Sequence, residues 1–150
     1  MRCFVGFICQ FGLASDPAAN DQFLQARIKD DPNWLPPGPE NRENKEGVER
    51  FARGYLAFAG FGKDSRSNQF IVSLDDSGPL AGGNPWEVPL GELVGRHSYD
   101  TLKSIYTGYG DNGPTQAEIN TKGMTSELKD KYPKLDYILS CEVTDEERQF

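Results

Sequence analysis

GYLAFAGFGKDSRSNQFIVSL, residues 54–74, is the stretch on which the fold class turns. Over 53–59, Tyr55, Ala57 and Ala59 alternate with Leu56 and Phe58, the period of a strand whose successive side chains point to opposite faces. Gly60 to Ser67 is polar and reads as an exposed loop, and NQFIVSL over 68–74 returns to β-branched and aromatic residues. The unit is predicted as strand, loop, strand. Upstream, CFVGFICQF at 3–11 is predicted as one buried strand, broken by Gly12 and the Asp16-Pro17 step. A short helical turn is expected over 21–28, followed by a polar surface excursion from Asp30 to Glu49 that carries Pro32, Pro36, Pro37, Pro39 and Trp34.

Downstream, DDSGPLAGGNP is irregular, and WEVPLGELV at 86–94 reads as a strand in which Pro89 implies an edge or a bulge. Ser98 is the expected N-cap of a helix carrying Tyr99, Leu102, Ile105 and Tyr106 on one face. A second helix places Met124, Leu128 and Tyr132 on one stripe before Pro133 ends it. LDYILSCEV at 135–143 is the expected last strand, with TDEERQF a frayed tail. These elements predict a single, mainly β domain over 1–150, an antiparallel barrel capped by short helices.

The bulk numbers narrow the function. A chain of 150 residues with 37% hydrophobic and 26% charged residues has material for one core. Sixteen basic against twenty-three acidic residues give a net charge of -7, which argues against a nucleic-acid partner. No apolar run is long enough to span a membrane. Cys3, Cys9 and Cys141 are odd in number and form no C-x-x-C pair, so they read as free, buried thiols in a reducing compartment, cytoplasmic or organellar. His97 is the one histidine, too little for a His-based triad or metal cluster, and no metal or cofactor is expected. There is no G-x-S-x-G, H-E-x-x-H or Walker loop, and Gly60-Phe61-Gly62 lacks the third glycine and helix of a dinucleotide fingerprint.

Two stretches carry more: RCFVGFICQFG at 2–12 and the 54–74 segment. Taken with the Q-F-G-x-x-x-D-P run from Gln10 to Pro17, a strand ending near GELV and the PKLDYI stretch, the chain resembles the cyclophilins, the peptidyl-prolyl cis-trans isomerases. The resemblance implies a cyclophilin-like barrel, and an enzyme acting on X-Pro bonds of protein chains. It also implies that two strands and a helix of the family, which precede the arginine motif, are absent here, so that a sheet edge beside 135–143 stands open to a partner. Arg2 falls on the family's catalytic arginine, and Gln10 on the glutamine that holds it. Phe7 and Ile8 fall on the walls of the proline pocket, completed by Ile71 and Leu80. Ala59, Gly60 and Phe61 fall on the strand end that meets the substrate backbone, and Gln69 on a further polar contact.

Read without the resemblance, Phe7, Ile8, Ile71 and Leu80 are ordinary core residues and Arg2 is a surface charge. The departures are specific. Ile71 stands where the family has an aromatic, Pro79 where it has a tryptophan or similar group, Gly60 where many members have asparagine, and Glu87 near its pocket histidine. They imply weakened proline binding, which Ile71→Phe is expected to restore. The rival reading is a non-catalytic cyclophilin-like subunit, an assembly module in a larger complex.

Overall fold

A turn over Phe4 to Phe7 bends the first apolar run back on itself. The Phe7 N–H donates to the Phe4 carbonyl at 3.1 Å. Gly6, third in the turn, has φ 65°, a conformation that costs an L side chain but not glycine. The stretch predicted as one strand is therefore a hairpin of β1 (Arg2–Cys3) and β2 (Ile8–Phe11), with Arg2 opposite Gln10 and Cys3 opposite Cys9. The two cysteines, expected as free thiols, are joined by a disulfide with Cα atoms 4.0 Å apart. A spacing of six conceals this pairing until the turn makes the two positions neighbours. Cys141 is free but exposed, not buried.

The computed structural model describes residues 2–30, 51–75 and 85–144. Leu80, Pro79, Trp34, the proline-rich excursion after Asp30 and the tail after Thr144 lie outside the described residues.

β3 (Tyr55–Phe58), β4 (Phe70–Ser73) and β5 (Pro89–Glu92) complete one sheet in the order β1-β2-β4-β3-β5, with every pair antiparallel. The antiparallel sheet and its short helices agree with the sequence reading. Among the described residues the sheet is open, with β1 and β5 as its edges, and not closed into the expected barrel. β5 is shorter than the run 86–94. Pro85–Glu87 forms a 3-10 turn instead, and the β3–β5 register shifts between Leu56 and Ala57, next to Pro89, which has no N–H to give the ladder.

The two faces of the sheet bury different clusters. On one, Cys3, Cys9 and Val72 pack under Leu102 and Ile105, which belong to or follow α2 (Arg96–Ser104), the helix that lies over this face. On the other, Phe51, Ala57 and Ile71 pack with Ile8, Tyr55 and Ala59.

Helix ends follow their caps. α1 (Pro17–Leu24) starts a turn earlier than expected because Asp16 accepts from the Ala18 N–H at 2.9 Å and Pro17 suits the first helical position. Buried Asn20 fixes the preceding loop, accepting from the Ala14 N–H at 2.7 Å and donating to its carbonyl at 2.9 Å. α2 begins after Gly95, not at a Ser98 cap, and the Ser98 hydroxyl donates to the Val94 carbonyl at 2.7 Å. α3 (Gln116–Lys122), which the sequence reading missed, opens on a reciprocal Thr115–Glu118 capping box. α4 (Ser126–Lys131), capped by Thr125, carries only Leu128 of the expected stripe, since Met124 precedes the cap and Tyr132 is the C-cap; Leu128 and Tyr132 are buried.

The expected last strand is corrected. Residues 135–143 are irregular and enter no ladder among the described residues, and Ile138, Leu139 and Val143 are exposed. Alternating apolar residues satisfy one face of a strand, but its backbone still needs a paired neighbour.

Candidate functional site: a cavity at the end of the sheet

Register decides which side chains share the site. Arg2 pairs with Gln10, Gln10 with Ile71 and Ile71 with Ala57, so these four form one row across β1, β2, β4 and β3, on one face of the sheet. Ile8 and Gln69, each two residues along from a member of that row, lie on the same face. Six of the expected site positions thus share a face, counting Ala59 beside Gln69, whose carbonyl accepts from the Ala59 N–H at 2.9 Å.

That face is divided. At one end Ile71 is 3% exposed beneath a fully buried Phe51, with Ile8 and Ala59 packed against the same cluster. Ile71 is core here, while Ile8 and Ala59 are partly buried against it. At the other end Arg2, Gln10 and Gln69 line a cavity of about 310 Å³. Its remaining walls are largely apolar, with Leu13 from the loop after β2, Ile119 from α3, Met124, and Leu135, Tyr137 and Ile138 from the irregular segment. Gly12 allows this junction. Its φ is 109°, and a Cβ there would lie 2.1 Å from the Asn68 carbonyl oxygen, so the chain leaving β2 runs tight against the residue before Gln69.

The polar groups are few and specific. Gln10 Nε2 donates to Gln69 Oε1 at 2.9 Å. Arg2 lies over the Phe4 ring, 5.1 Å from its centroid, and one terminal nitrogen is 3.8 Å from Asp111. The Asp111 side chain is 79% exposed, so solvent screens that pair and it holds Arg2 weakly. Arg2 Nε is sealed from solvent and has no hydrogen-bond partner among the described residues. A buried donor left unmet costs about 1–3 kcal/mol. Burial first, and Tyr109 second, push the Tyr137 phenol upward, and the Asp136 carboxylate lines the same wall of the cavity. Asp136 accepts from the Tyr106 N–H at 2.7 Å, which fixes the segment that carries Tyr137.

The other expected positions lie elsewhere. Phe7 packs on Phe4 at 6.4 Å between centroids, and its carbonyl accepts from the Leu74 N–H at 2.9 Å. Trp86 lies against Gly60 so closely that a Cβ there would be 2.5 Å from the tryptophan Cβ. Phe61 is 98% exposed, its N–H bonded to the Ser65 hydroxyl at 2.7 Å. His97 is exposed on α2. The sequence reading missed Phe51 and the walls from α3 and 135–138. The T-x-x-E of Thr115 to Glu118 was the available signal for α3, and nothing local marked Phe51. Among the described residues no helix is long and apolar enough to cross a membrane.

Comparison of the chain with family models, with curated proteins and with solved structures finds no match.

Proposed function

We propose that this chain is a cyclophilin-like peptidyl-prolyl isomerase that takes X-Pro segments into the cavity beside Arg2, Gln10 and Gln69. In this reading the five-stranded sheet is the larger part of a cyclophilin-like barrel. The observation that carries it is the convergence of Arg2, Gln10 and Gln69 on one largely apolar cavity. An X-Pro bond isomerises over a barrier of about 20 kcal/mol because amide resonance is lost in the twisted state. The prolyl nitrogen gains a lone pair only there, so a donor aimed at it stabilises the transition state more than the ground state. The apolar walls take the ring, and the Gln10–Gln69 pair has further amide capacity for the substrate backbone. The pocket differs from the one the family pattern suggests, because Phe51 fills the Ile71 side.

The test is a protease-coupled assay on a proline peptide, corrected for the uncatalysed rate. The parent accelerates isomerisation, and Arg2→Ala lowers kcat/KM about 100- to 1000-fold, as loss of one transition-state donor does elsewhere. Loss of the Arg2–Asp111 pair itself changes stability by less than about 1 kcal/mol, because that pair is exposed. A parent no faster than background overturns the enzyme reading.

A second reading, a non-catalytic assembly module, has its own observation. Leu90 and Val94 are exposed on and just after the edge strand β5, which has one free side among the described residues. A partner strand adding to that edge would be expected in an inactive protein.

A further inference from the structure

We infer that the Cys3–Cys9 disulfide is a positioning device for Arg2, so that two-electron reduction of the bridge weakens the site; this rests on the isomerase reading of the same cavity. β1 is two residues long and, among the described residues, pairs on one side only, with β2. Short edge strands are the first parts of a sheet to open. Arg2 itself is held by a ring contact with Phe4 and by the screened Asp111 pair, neither of which fixes a backbone. The neighbouring residue is fixed covalently. Cys3 is bonded to Cys9, its direct cross-strand partner, and both are buried against Val72 and Leu102 on the opposite face from the cavity. Cys9 in turn neighbours Gln10, which is bonded to Gln69. One bridge behind the sheet thus holds the two residues, Arg2 and Gln10, that face each other in front of it.

The chemistry is closed. A dithiol reductant attacks one sulfur to give a mixed disulfide, and its second thiol displaces that sulfur. Cys3 and Cys9 leave as thiols and the reductant as a cyclic disulfide. At 3% and 0% exposure the bridge is attacked when β1 lifts from the sheet, so reduction captures the lifted state.

The experiment uses the full chain, oxidised and then reduced with a dithiol, with thiols counted by mass. Reduction is expected to lower kcat/KM about 10- to 100-fold, the scale of a misplaced catalytic group. The loss should fall in kcat with KM nearly unchanged, and reoxidation should restore it. The Arg2 Nε–H resonance should move on reduction. The double variant Cys3→Val, Cys9→Val, which keeps apolar side chains and removes the tether, should sit at the reduced level and ignore reductant. In Arg2→Ala, reduction should cause no further loss. Unchanged kcat/KM and an unmoved Arg2 resonance on reduction overturn the inference, as does a double variant as active as the oxidised parent. An equal further loss in Arg2→Ala also overturns it, because the bridge then supports the fold at large. An oxidised parent without activity fails the isomerase reading instead, and the Arg2 resonance still decides whether the bridge positions that side chain.

Discussion

The two ends of one sheet face have met opposite fates. Ala57 and Ile71 are buried with Phe51, and Ile8 packs partly buried against them, while Arg2, Gln10 and Gln69, on the same strands or beside them, open on a cavity. Strand pleating cannot distinguish them, since all point the same way. The difference lies in what arrives from elsewhere in the chain. A phenyl ring lands on one end, and α3 with residues 135–138 stands around the other without filling it. A row of residues becomes core or site according to the closeness of its cover.

The sharpest way to break this contrast is to remove the cover. Phe51→Ala should destabilise the protein by about 3–5 kcal/mol, the usual cost of deleting a buried aromatic, measured by urea denaturation. A loss under 1 kcal/mol would mean that Phe51 does not close the face. The next largest effect comes from adding bulk. Ile71→Phe, expected from the sequence to rebuild an aromatic wall, should instead cost about 1–3 kcal/mol by overpacking against Phe51, with no gain in proline-peptide affinity by titration calorimetry. Tighter binding in that variant would place the proline pocket at the sealed end after all.

The smallest effect concerns the open end. Thr115, through its backbone N–H first and its hydroxyl second, holds the Glu118 carboxyl below the usual carboxylate range, and Glu118 precedes the cavity residue Ile119. The folded-state value is lowered, so this contribution to stability is complete above the ordinary carboxylate value and is lost as pH falls through the folded one. Melting temperatures followed from pH 6 to pH 2.5 should therefore drop less steeply for Glu118→Gln than for the parent. Parallel curves would show that the capping box does not hold α3 against acid.

Local chemistry in the sequence determined a good deal here. Period-two alternation marked β3 and β4, β composition marked β2, Pro133 marked the end of the 124–132 helical stripe, and the order of motifs drew attention to Arg2, Gln10 and Gln69 before any geometry existed. Each of these depends on a residue and its near neighbours. The Asp16-Pro17 cap and the Thr115 capping box are local patterns of the same kind, legible from the residues at each helix start. What the tertiary structure alone decided depends on contacts between distant segments. A turn at Gly6 made Cys3 and Cys9 neighbours and replaced two expected thiols with one bond. LDYILSCEV has the alternation of a strand, yet it gained no paired neighbour among the described residues, and only its first four residues became a cavity wall. Phe51 carries no local mark of its role. Apolar side chains are indifferent to which apolar surface they cover, and only the folded chain brings this one onto Ile71.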